Sequence, residues 1–312
     1  MLQTFQATLS PMLIMFTCIL IGFILRKLRC VPDNTGAVLS KLQAYIFGPA
    51  LTLSTFIKNC TVETITQNSQ LILFGAAIVG AELLLAYPLS KLFYREGYTR
   101  NVYKYALVFA NWGFMGNAIV PMIFGQEALF SYMVFNIPLS VATYAWGIPQ
   151  LIPGEGKSGL LRRIFNPAMF ALILGCAIGL LGLGNHMPGF ISGTLSNLGG
   201  CMGPLAMILT GFVIGGFDLK TMVGDVRVYI ATGLRMIVLP GLICTGLILA
   251  GAPALWVQLG LVAYGTPLGL NTVVYPAAYG GDTAPGASMA MISHTLSVIT
   301  LPLMLAVISL FL

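Results

Sequence analysis

Apolar residues in this chain run in long unbroken stretches separated by short polar interruptions, with none of the strict alternation of a half-buried strand. A transmembrane helix needs about 20 mostly apolar residues. Ten such stretches fill nearly the whole sequence, at 7–28, 36–57, 70–93, 103–124, 128–150, 164–184, 192–214, 228–250, 255–279 and 286–311. The links between them are too short for a soluble domain. The pattern predicts an all-α integral membrane protein of ten transmembrane helices.

Two of these stretches are interrupted at their middle. The fourth reads Asn111-Trp112-Gly113-Phe114-Met115-Gly116-Asn117-Ala118-Ile119-Val120-Pro121, and the ninth Gly265-Thr266-Pro267-Leu268-Gly269-Leu270-Asn271-Thr272-Val273-Val274-Tyr275-Pro276. Gly and Pro weaken or remove helical hydrogen bonds, so Gly113, Pro121, Gly269 and Pro276 are the expected break points. Asn and Thr are costly in hydrocarbon unless they line a cavity or find partners. Paired interruptions at matching places are the best sequence pointer to a transporter's binding site. Asn111, Gly116, Asn117, Thr266, Pro267, Asn271 and Thr272 are therefore the expected substrate-binding residues. The plainer reading is that the glycines only permit close helix packing and the prolines only kink.

The matching places belong to a wider internal repeat. Leu39-Ser40-Lys41-Leu42 and Gly48-Pro49 align with Leu195-Ser196-Asn197-Leu198 and Gly203-Pro204. Pro121 and Gly125 align with Pro276 and Gly280, and Leu139-Ser140-Val141-Ala142-Thr143 with Leu296-Ser297-Val298-Ile299-Thr300. From Ser40 to Ser196, Pro121 to Pro276 and Leu139 to Leu296, the offsets are 156, 155 and 157. Five spans per copy is an odd number, so the copies cross the membrane in opposite senses. Residues 1–152 and 153–312 are then two inverted repeats, a geometry that many secondary transporters use for alternating access.

Composition sharpens this picture. Only 15 Lys and Arg and 9 Asp and Glu occur among 312 residues, 8% charged against 57% hydrophobic; soluble domains carry about 25% charge. The net +6 is spread over loops, which argues against nucleic-acid binding. With the N-terminus outside, 13 of the 15 basic residues, including Arg26, Lys157, Arg162, Arg163 and Arg227, fall on the cytoplasmic side, and Lys58 alone faces out. Ten spans return the C-terminus to the outside. No Lys or Arg precedes Arg26, so the first apolar stretch reads as a retained span and not a signal peptide. The six cysteines show no CxxC pair and read as small hydrophobes, and neither a metal nor a cofactor is expected.

Ionisable residues within spans are rare and functional or paired. Glu82 and Arg235 lie at nearly equivalent places in the third helix of each half, either as an ion pair or each serving its own half. His294 is suited to carry a coupling proton; the alternative is a neutral imidazole bonded to a backbone carbonyl. The crossover stretches themselves hold no charge, so an anion there would rest on helix N-termini and on Asn111, Asn117 and Asn271.

Asn111-Trp112-Gly113-Phe114-Met115-Gly116 with a following Pro and Phe-Gly, Asn166-Pro167 entering the sixth span, Pro267 and Pro302 together resemble the auxin efflux carrier family, over the full chain. That family includes bacterial malate-permease-like proteins and resembles the plant PIN auxin carriers. The resemblance implies an NhaA- and bile-acid-symporter-like elevator fold. Helices 1, 2, 6 and 7 form the scaffold, helices 3–5 and 8–10 the transport domain, with 4 and 9 broken and crossed. It further implies a homodimer and an organic anion, a carboxylate such as malate or an auxin-like acid, as cargo. The family's crossover Asn falls on Asn111 and its glycine on Gly116; where members carry Pro two residues later, this chain has Ala118, which shifts or softens the expected break. The large central loop of the auxin carriers is absent. No catalytic constellation or P-loop occurs, so an enzyme or ATP-driven pump is not expected. The other class to weigh is a sensor or receptor-like binder that keeps the fold without net flux.

Overall fold

The computed structural model describes residues 2–152, 166–279 and 281–312. Lys157, Arg162 and Arg163, and the repeat residue Gly280, lie outside the described residues. Apart from one antiparallel bridge, Ala110 with Leu268, the described residues hold no β-structure. Helical segments follow all ten apolar stretches. Among the described residues, five helices are long and apolar enough to cross a membrane: Thr4–Lys27, Val62–Phe93, Gly189–Gly215, Val226–Leu249 and Ala284–Ile308. Gln126–Phe135 and Ile137–Gln150 make a sixth if read as one span bent by 51°. That bend falls at Asn136, directly before Ile137-Pro138, where proline limits the helical hydrogen bonding.

The outside of the molecule is apolar. Leu84 is 78% exposed and Leu249 83%, with Leu73, Leu92 and Phe170 beside them in character. A surface of this kind marks contact with lipid.

The helices pack in distinct pairs, and the first segment also lies along the tenth (Ala284–Ile308). The first segment (Leu2–Lys27) runs along the seventh (Gly189–Gly215), and the second (35–59) lies against the sixth (Pro167–Leu180) and the seventh. Small residues make this possible: a Cβ on Gly22 would sit 1.9 Å from the Ile208 carbonyl oxygen, and one on Gly211 1.8 Å from that of Ile19. The third segment (Val62–Phe93) packs on the fourth and fifth, and the eighth (226–249) and tenth (Ala284–Ile308) pack on the ninth.

The interruptions are real but are not centred on the expected prolines. The fourth segment is helical over Tyr98–Val108, extended through Phe109 and Ala110, and helical again from Trp112 to Phe124. The ninth is helical over Ala254–Gly265 and Asn271–Tyr279, with 266–270 between. Gly269 lies in the second break and Gly113 one residue past Trp112, which resumes the helix after the first. Pro121 and Pro276 do not break their helices: each sits inside one, Asn117–Phe124 and Asn271–Tyr279. Pro121 stands four residues after Asn117 and Pro276 five after Asn271, and each removes a single N–H from the ladder without ending its helix. Ala118 likewise lies past the break, within Asn117–Phe124.

Candidate functional site: the crossing of two broken helices

The ninth-segment break follows from Pro267. A proline drives the preceding residue out of the α region, and Thr266 is extended at ψ 160°. The freed strand-like turn then offers the Pro267 carbonyl, which accepts from the Asn111 N–H at 2.7 Å. Ala110 and Leu268 form the antiparallel bridge beside it. The fourth helix, which has no proline at its break, is thus opened by pairing with the ninth. Leu268 N–H is satisfied in turn by Ser293 Oγ of the tenth helix at 3.1 Å.

Two half-helices end at this crossing and two begin. The last carbonyls of a helix lack partners within it and carry partial negative charge. Here Arg235 meets both endings: its Nη2 donates to the Val108 carbonyl at 3.0 Å, and its Nη1 to the Tyr264 carbonyl at 2.8 Å and to Glu82 Oε1 at 3.2 Å. The side chain is fully buried, and Arg235 itself belongs to a π-helical turn, Leu234–Val238. Its guanidinium carbon stands 5.5 Å from the centre of the Tyr264 ring. Glu82 and Arg235 are therefore one ion pair, and the crossing does hold a charge, contrary to the expectation from its local sequence. The charge comes from the third and eighth helices, which the pattern of the fourth and ninth cannot reveal.

The polar groups expected at the site divide into three sets. Asn111 is 2% exposed and His294 1%. The Ala290 carbonyl, 2.7 Å from His294 Nδ1, can only accept, so Nδ1 carries the hydrogen. Nε2 then accepts from Asn111 Nδ2 at 3.0 Å, which leaves the imidazole neutral and Asn111 Oδ1 without a partner. Asn271 Nδ2 donates to Tyr105 Oη at 2.8 Å, so the two asparagines approach the crossing from opposite halves of the chain. Thr266 Oγ1 and Asn117 Oδ1 are also buried and unpartnered. Thr272 differs: its hydroxyl donates to the Gly269 carbonyl at 2.9 Å and serves its own helix start. Gly116 is required by a neighbour, because a Cβ there would lie 1.9 Å from Tyr132 Oη, which donates to the Trp112 carbonyl at 3.0 Å. Tyr105, Tyr132 and Ser293 complete the site and carry no signal in the sequence, since Tyr and Ser occur throughout apolar helices.

Asn111 and Asn271 line neither of two cavities. One, of about 380 Å³, lies between the ends of the first, second and seventh segments and the ninth, with Arg26, Asp33, Ser40, Phe212, Val273 and Val274 among its walls. Arg26 and Asp33 form an ion pair there. The other, of about 400 Å³, is walled by Ser54, Ile57, Lys58, Asn185, Ser192 and Ser196. No group of three or more His, Cys, Asp or Glu suited to a metal occurs among the described residues.

An apolar exterior around two helices broken against each other defines a membrane-embedded transport protein. The family model described as "Membrane transport protein" matches residues 7–160 and 153–305. The chain belongs to that family, the auxin efflux carrier family, which is a family of transporters and not of enzymes. It is 26% identical over 303 residues to an uncharacterized transporter of Methanocaldococcus jannaschii, covering 95% of this chain and 97% of that one. It is 25% identical over 244 residues to an uncharacterized transporter of Methanothermobacter thermautotrophicus, covering 76% and 77%.

Proposed function

We propose that the protein is a secondary transporter that carries small organic anions, carboxylates such as malate or auxin-like acids, by alternating access. The observation that carries the reading is Arg235 on both carbonyl ends of the broken helices. Each half-helix terminus bears about half an elementary charge. With the negative ends capped, the positive ends at Trp112 and Asn271 dominate the other side of the crossing, and they favour a carboxylate. The Asn111 and Asn271 amides flank them. A neutral site of this kind binds an anion without a permanently exposed cation and so can release it.

The packing of the first segment on the seventh and of the second on the sixth supports a scaffold of helices 1, 2, 6 and 7, with helices 3–5 and 8–10 as the transport domain; the two repeats are inverted, and the distribution of basic residues supports both termini outside. The repeat also supports a conformational assignment. Ala118 and Val273 are 155 residues apart, as are Gly48 and Gly203. A Cβ on Gly203 would lie 2.4 Å from Ala118 Cβ, so the fourth helix is sealed against the seventh. The nearest atoms to a Cβ on Gly48 are Gln43 O at 3.0 Å and Met202 Cε at 4.0 Å, and Val273 instead lines the cavity near Arg26. The state is open toward the Arg26 end, the cytoplasmic end under this orientation. A second copy docked through the scaffold completes a homodimer.

His294 orients Asn111 in this scheme. A proton taken up at its Nε2 requires the Asn111 amide to turn over and accept through its free Oδ1, which links anion binding to protonation. Uptake of labelled malate and indole-3-acetate into proteoliposomes, with and without a pH gradient, tests both points. Uptake that Asn111→Ala abolishes, with a gradient dependence that His294→Gln removes, is expected. Binding without uptake is the result of a receptor-like protein.

A further inference from the structure

We propose that Cys60 and Cys176 form a disulfide that staples the second helical segment to the sixth. Cys60 is the first residue after the helix Gly48–Asn59 and is wholly buried; Cys176 is partly exposed, within Pro167–Leu180. Their segments meet through glycines on either side of Cys176. A Cβ on Gly175 would lie 2.8 Å from Phe56 Cβ, and one on Gly179 2.7 Å from the Cys60 carbonyl oxygen and 3.1 Å from Cys60 Cβ. Backbones this close place Cys176 beside Cys60, with the two thiols near enough to interact. A disulfide asks for Cβ atoms about 3.5–4.5 Å apart, so thiols this near need only a small adjustment. Cys244, in contrast, spends its thiol on the Val257 carbonyl.

The proposed orientation puts this end of the molecule, with Lys58, outside the cytoplasm, where disulfides form and persist. The oxidant is the disulfide of an extracytoplasmic dithiol oxidase. The Cys176 thiolate attacks it and expels one oxidant thiol; the Cys60 thiolate then attacks the Cys176 sulfur of the mixed disulfide and expels the second. One S–S bond forms, both cysteines lose their protons, and the two electrons leave on the oxidant's thiols. The bond closes a loop of more than one hundred residues between the two halves of the chain, for which the entropic effect on the unfolded state is large. It rests on the orientation, not on the transport of any substrate.

The test is mass spectrometry of protein taken from native membranes into N-ethylmaleimide without reductant. A peptide pair joined through Cys60 and Cys176 is expected, together with a fall in the thermal midpoint of about 5 °C on reduction that the Cys60→Ser/Cys176→Ser double variant does not show. Finding both cysteines alkylated and unlinked in the wild-type protein overturns the proposal, whether or not the variants fold.

Discussion

Arg235 is the side chain whose loss reaches furthest. Removing it leaves Glu82 buried with its charge unpaired and strips two helix ends of their cap. Breaking a buried pair from one side costs about 3–5 kcal/mol, whereas replacing both partners by apolar groups of similar volume is far milder. Arg235→Met is therefore expected to lower the thermal midpoint sharply in detergent, and Glu82→Gln/Arg235→Met to recover part of the loss. Lysine does not substitute, because a single ammonium lacks the guanidinium fork that reaches three acceptors. An Arg235→Met protein as stable as wild type contradicts this role. Glu82, Arg235 and His294 were legible in the sequence because charge inside an apolar run is rare. The Glu82–Arg235 pairing was among the readings too, but the particular carbonyls were not: Val108, Tyr264 and Ala290 contribute groups that any residue supplies, and only the helix crossing selects these.

At the scale of elements, the break in the ninth helix is written locally and the break in the fourth is not. Pro267 both removes an N–H and extends Thr266, whereas the fourth helix opens between Val108 and Trp112 because Asn111 finds the Pro267 carbonyl. Reading prolines as break points accordingly misplaces Pro121 and Pro276, which sit inside continuous helices. Pro267→Ala is expected to cut uptake by about tenfold or more, since small displacements of binding groups are that costly. Pro121→Ala is expected to leave uptake intact and the thermal midpoint equal or higher, because alanine favours a helix interior. The reverse ranking would show that the break depends on the later prolines.

For the molecule as a whole, the ten apolar stretches and the 155-residue repeat were visible in the sequence, because lipid imposes one length and one chemistry on every span. The proposed opening toward the Arg26 end has no signal in the sequence, since the repeats are alike and the asymmetry lies in their contacts. Ala118 closes on Gly203 while Val273 stands free of Gly48. Val274→Cys is accordingly expected to react with an impermeant maleimide from the Arg26 side, and its repeat counterpart Ile119→Cys to be protected from the Lys58 side. Equal labelling of the two removes the inward-open assignment. The central claim, that the crossing binds an organic anion for transport, is tested most directly by initial-rate uptake of labelled carboxylates into proteoliposomes by wild type, Asn111→Ala and Asn271→Ala. Loss of one hydrogen bond to a charged group corresponds to about tenfold or more, so each variant is expected to lose that much uptake while keeping its thermal midpoint within a few degrees. Undiminished uptake in both variants contradicts the account.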